Sequence, residues 1–215
     1  YHARAAIAAT VDVILSRSIT GNSIGAKLTI PQGTLFTDSS GNSWLSARDV
    51  TWYSNVTTCK VPIIQHEKYT ASVLNNMVIP TGDRVIIHLG TLPNGKYYEQ
   101  GSMSLQIGGE TWVLVDTFAK SKPTDKHFMV SVDESLSPYI MFGDGTFGKK
   151  PAAGAKITNV VFYLTNGTQG NVKSNTITSV PSVISSSITD ATVSNAYDAG
   201  GGSNYENFTM LKEHI

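Results

Sequence analysis

The chain of 215 residues holds a single cysteine, Cys59, so no disulfide can form within it and the fold must stand on packing alone. That suits folding in a reducing cytoplasm. Charge is also scarce. Only 15% of residues are charged, against a typical share of about 25%, and 16 basic side chains balance 16 acidic ones. Zero net charge argues against nucleic acid as a partner, because phosphate recognition needs clustered Lys and Arg. The pairs at Lys149-Lys150 and Lys120/Lys122 are too short to supply that, and read as solvated loop lysines. No apolar run reaches the roughly 18 residues that a membrane-spanning helix needs. The opening "YHARAAIAA" lacks the apolar segment of a signal peptide. The chain begins with Tyr rather than Met, which reads as a processed product or part of a longer protein.

What is present is a β-rich pattern. Apolar residues make up 40% of the chain, enough for one large domain or two small ones. "HARAAIAA" favours a short N-terminal helix, since alanine is the best helix former. From Thr10 the period changes to two: Val11, Val13 and Leu15 alternate with Asp12, Ile14 and Ser16. "KLTIP" and "TLFTD" read as strands around the turn Pro31-Gln32-Gly33, and "VTTCKVPII" as a strand with Cys59 buried in it. "DRVIIHL", "SLQI", "TWVLVDTF", "KHFMVSVDES", "YIMFGDG" and "KITNVVFYLTN" follow as strands. Pro93-Asn94-Gly95-Lys96 and Gly108-Gly109 mark turns between them. The Ser/Thr-rich "NTITSVPSVISSSITDATVSN" is expected to hold two or three more strands. Trp44, Trp52 and Trp112 lie in strand contexts and read as core.

The expected fold is therefore mainly β, with sandwich- or barrel-like domains of short antiparallel strands and short helices at both ends. Three regions are expected in order. Residues 1–64 form the N-terminal helix and a first β region, and 65–194 a second β domain. Residues 195–215 begin a helical segment leading to further chain.

Catalytic constellations are sparse. Gly143, Gly145 and Gly148 have the G-x-G-x-x-G spacing of a dinucleotide loop, but Pro151 and Gly154 break any following helix, and pyrophosphate binding needs that helix N-terminus. Asp144 stands alone, without the alternating oxygen ligands of a calcium loop. His2, His66, His88, His127 and His214 show no zinc spacing. There is no G-x-S-x-G elbow. Asp133 and Glu134, adjacent in an expected strand, would face opposite sides and cannot share a substrate. The reading is a protein that is not an enzyme, with no cofactor and no metal.

The stretch Tyr139–Val172, "YIMFGDGTFGKKPAAGAKITNVVFYLTNGTQGNV", carries a resemblance. It is similar to the phrase of the baseplate J-like family, the baseplate wedge proteins of contractile-tailed phages and related injection machines. The matching positions are Phe142-Gly143-Asp144-Gly145, Gly148, Pro151, Gly154, Tyr163, Gly167 and Gly170-Asn171-Val172. Upstream, "IPQGTLFTDSSGNSWLSARDV" and "TWVLVDTFAKSKPTDKHFMVSVDES" resemble further segments of that family. Downstream, "NAYDAGGGSNYENFTMLKEHI" resembles its Gly-Gly phrase, with Tyr197 where proline is usual and Asn204 where aspartate is usual.

The resemblance implies a structural subunit of the tail baseplate in the virion, assembled in the host cytoplasm. Its partners would be other wedge subunits, a second copy of itself, the hub and the first sheath layer, with no nucleic acid and no membrane insertion. It would link wedges and couple baseplate rearrangement to sheath contraction. In that setting Phe142 and Phe147 are expected to anchor the glycine loop in the core as a fixed corner. The alternative reading is a glycan- or receptor-binding β module of a tail.

Overall fold

The computed structural model describes residues 6–18, 27–70 and 74–205. Over these residues the chain is mainly β with curled, barrel-like sheets. The strands are β1 (Thr10–Ser16), β2 (Lys27–Ile30), β3 (Leu35–Asp38), β4 (Ser43–Ser46), β5 (Val50–Tyr53), β6 (Thr58–Ile64), β7 (Glu67–Thr70), β8 (Ile86–His88), β9 (Tyr97–Tyr98), β10 (Ser104–Ile107), β11 (Glu110–Leu114), β12 (His127–Val132), β13 (Pro138–Phe142), β14 (Ile157–Thr165), β15 (Ile177–Ser179) and β16 (Thr192–Ser194). One helical turn, α1 (Ser182–Ser185), and a 3₁₀ turn at Gly167–Gly170 complete the described elements.

Two compact units interleave along the chain. A split unit combines Ile7–Glu67 with Thr165–Asn204, and an inserted unit is built on Lys68–Leu164, with Ala6 and Tyr205 also falling in it. This grouping differs from regions running in order over 1–64, 65–194 and 195–215.

In the split unit, six strands follow the order β15-β3-β4-β6-β1-β16 with antiparallel neighbours. The two end strands come together at Asn195, whose backbone carbonyl accepts from the Asn175 N–H at 2.8 Å. The sheet therefore curls into a barrel. Its interior takes alternate residues: Val13 and Leu15 of β1, Phe36 of β3, Trp44 of β4, Val61 and Ile63 of β6. Cys59 and Trp52 are buried here too, as their strand contexts suggested. A separate antiparallel pair, β2 with β5, contributes Ile30 and Trp52 to the same core.

In the inserted unit the path is β7-β14-β10-β11-β12-β13-β8, with β9 also on β14. The β10–β11 hairpin turns at Gly108 and Gly109, both at positive φ. β11 and β12 are parallel, which requires a crossover, and residues 115–126 make it. The core is aromatic-rich: Trp112 meets Phe142 edge-on at 5.4 Å, and Tyr98 meets Phe162 at 5.6 Å.

Neither expected terminal helix is found in the described residues. Ala6 and Ile7 form bridges to Glu99 and Ser203, and residues 195–205 carry no helix; residues 1–5 and 206–215 lie outside the described residues. The Ser/Thr-rich stretch holds two strands, β15 and β16, and between them the turn α1, which places Ile184 in the core. Asp133 and Glu134 follow β12 in a turn rather than lying in a strand; Asp133 Oδ1 accepts from the Ser135 and Ser137 N–H groups.

Candidate functional site

The glycine loop begins where β13 ends. Phe142 is buried as the last residue of the strand, and the chain then reverses within six residues. Asp144 organises the reversal: its Oδ1 accepts from the N–H groups of Thr146 at 2.8 Å and Phe147 at 2.9 Å. Those two bonds, Phe147 first, with the positive charge of Arg84 adding to them, hold the Asp144 carboxyl below its ordinary range. Gly145 sits at φ +93° and donates its N–H to the Gly148 carbonyl at 3.0 Å. At Gly143 the need is contact: a Cβ there would overlap the Gly148 backbone carbonyl.

The loop is tied at two further points. Lys149 N–H donates to the Asp125 carbonyl at 2.7 Å, and Gly154 N–H to the Ile79 carbonyl at 3.0 Å. Pro151 is buried between these ties. No helix follows the glycines; the chain passes a turn at Gly154 (φ +84°) and enters β14. The site is thus a corner between strands. Phe147 is not a core anchor, however. It is 54% exposed, because the Asp144 turn points residue 147 outward.

Tyr163 lies half-buried on β14, where its N–H donates to Ser102 Oγ at 3.1 Å and its carbonyl accepts from Glu99 N–H at 3.0 Å. Gly170 and Asn171 belong to the split unit. A Cβ on Gly170 would come within 2.9 Å of Gln65 Oε1 and 3.2 Å of the Ala9 methyl. Asn171 pairs with the backbone of Gly202 in both directions: Nδ2 donates to its carbonyl at 2.9 Å, and Oδ1 accepts from its N–H at 2.8 Å. Asn204 Oδ1 accepts from both the N–H and the hydroxyl of Thr168, at 2.9 and 3.1 Å. The phrases at 167–171 and 200–204, read separately in the sequence, are one clasp. The remaining signature residues, Phe142 through Tyr163, sit in the inserted unit.

Sequence reasoning missed the cavity beside the corner. It measures about 550 Å³ and is lined by Met129, Met141, Phe118, Phe147, Ile86 and Arg84, with Gly143 and Asp144 at its edge. The signal was available: "FMV" and "IMF" place methionine on the strand face opposite the core residues, leaving both faces apolar.

Among the described residues, no group of three or more His, Cys, Asp or Glu side chains is placed to hold a metal ion. No protein-family model matches the chain, and no curated protein matches it.

Proposed function

We propose that this chain is a structural subunit of a contractile-tail baseplate wedge, which links wedges in the inner ring and couples baseplate rearrangement to sheath contraction. The observation that carries the reading is the phrase from Phe142 to Val172, with its glycines, Pro151 and Gly170-Asn171 at the spacing described for that family. The geometry supplies a physical reason for such a phrase to keep its spacing. Gly143 is fixed by contact, and Gly145, Gly148 and Gly154 by positive φ. A corner of this kind is a scaffold feature, suited to a subunit that transmits force.

The test is labelling of purified contractile tails with an antibody against the chain. Label confined to the baseplate end is expected, together with cross-links to wedge and hub proteins in mass spectrometry. Tails that assemble and contract without the chain would end the reading. The cavity beside Phe118 and Phe147 favours a second reading, a receptor-binding β module. Binding to a glycan array, lost in Phe147→Ala, would select it instead.

A further inference from the structure

The cavity opens beside an unfinished sheet. Among the described residues, β8 stands last on the strand path of the inserted unit and pairs on one side only, with β13. Two bonds fix the phase of that pairing. Leu89 N–H donates to the Pro138 carbonyl at 3.0 Å, and Phe142 N–H donates to the Val85 carbonyl at 3.3 Å. Antiparallel ladders alternate between residues that bond to the neighbour and residues that turn away. With Ile87 opposite Ile140, residues 85, 87 and 89 face β13. The N–H and C=O groups of Ile86 and His88 therefore point to the open edge, and both residues are exposed.

The side chains form rows that end at the same edge. Met129, Met141 and Ile86 are successive cross-strand partners on β12, β13 and β8, and all three line the cavity. Ser131, Tyr139 and His88 form the next row, with the Tyr139 and His88 rings 5.4 Å apart. Ile86, the last member of the apolar row, is 46% exposed. Phe118 of the crossover and Phe147 of the glycine loop line the cavity with that row.

We propose that the β8 edge and this cavity form a docking site for an extended segment of a partner protein. The segment adds as a further strand and exchanges backbone hydrogen bonds with Ile86 and His88. It places one bulky apolar side chain opposite Ile86, in line with Met129 and Met141. The residue two positions along lies on the same face, beside His88. Extended backbone is the occupant that the edge itself specifies, because it alone offers donors and acceptors at the period of Ile86 and His88. The cavity volume falls in the range of about 300–1,000 Å³ found for ligand pockets, ample for one aromatic or branched side chain. Arg84 and Asp144 both line it, one of each sign, so the selection rests on shape and backbone pairing. The inference stands on the inserted unit alone, and its failure leaves the baseplate reading untouched.

The test is selection of a displayed library of random heptapeptides against the whole chain, followed by affinity measurement on the enriched peptides. Enrichment of a bulky apolar residue within an alternating pattern is expected. His88→Pro deletes an outward N–H that β13 does not use, and should weaken binding at least tenfold while β13 pairing persists. Phe147→Ala, at an exposed position, should weaken it as well. Independently of any variant, N-methylation of alternate peptide amides should abolish binding in one phase and spare it in the other. No enrichment, or peptides indifferent to both variants and to N-methylation in either phase, would overturn the proposal. So would self-association in sedimentation velocity that His88→Pro removes, because the edge would then belong to a second copy.

Discussion

Gly143 and Gly154 look alike in the sequence and differ in what they require. At Gly143 the obstacle is another segment of backbone, which cannot swing aside; at Gly154 there is open space and only the dihedral objects. Gly143→Ala is expected to cost about 3 kcal/mol, the upper range for forcing atoms into packed space, and Gly154→Ala about 1–2 kcal/mol. Chemical denaturation of both variants should rank them in that order. Asp38 makes a pH-dependent counterpart in the split unit. Burial pushes its carboxyl up, but four donors outweigh this and leave it below its ordinary value of 3.8: the Asn42 side chain and N–H, Trp44 Nε1 and the Ser40 N–H. A depressed folded pKa stabilises above the unfolded pKa, and the gain is lost as pH falls through the folded value. Asp38→Asn should therefore lose about 1–3 kcal/mol at neutral pH. Its melting temperature should also fall less than the parent's between about pH 5 and 3.

Strands were legible because alternation reports burial directly; β1 buries Val13 and Leu15, as its period requires. What joins the barrel's end strands was not legible, since it is one residue, Asn195, without periodicity, acting through both its backbone carbonyl and its side chain. Asn195 is fully buried. Its Oδ1 accepts from the N–H groups of Thr176 and Ile177, both at 3.0 Å, and its Nδ2 donates to the carbonyls of Lys173 and Tyr197, both at 2.9 Å. Asn195→Ala would leave three backbone groups without this partner, the Thr176 and Ile177 N–H groups and the Tyr197 carbonyl, while the Lys173 carbonyl keeps the Thr176 hydroxyl at 2.7 Å; it should destabilise by about 3 kcal/mol or more. Asn195→Asp should be harmful at neutral pH and partly recover in acid, because the new carboxylate would face two carbonyls; melts at two pH values would show it. The alanine run misled for a related reason. Ala9 is small because its methyl meets the faces of Gly170 and Gly202, where Cβ atoms would come within 3.2 and 3.1 Å of it. Tight space, rather than helix propensity, selects alanine there. At the glycine corner, the outward path of Phe147 depends on three-dimensional closure that spacing does not encode.

At the scale of the molecule, the interleaved order escaped the sequence because no linker marks either crossing. The chain leaves the split unit at β7 and returns at β14, and these two strands are neighbours in one sheet. Each unit has its own buried cluster. Trp44→Ala, in the split unit, should cost about 3–5 kcal/mol. Amide hydrogen exchange should then speed up in β1, β4 and β6 while β12 and β13 keep their protection. Uniform acceleration across both units would show that they open as one.

The adjacency of β7 and β14 bears on the order in which the chain can fold. The split unit must join Gln65 to Thr165 and Asn166, whose hydroxyl and N–H donate to Gln65 Oε1 at 3.1 and 2.8 Å. Closing that gap across about a hundred disordered residues would cost about 4 kcal/mol in chain entropy. Once the inserted strands have paired, they present Gln65 and Thr165 side by side, and most of that entropy has already been lost. Pairing of β7 with β14 within the inserted unit therefore lowers the chain-entropy cost of joining Gln65 to Thr165 and Asn166.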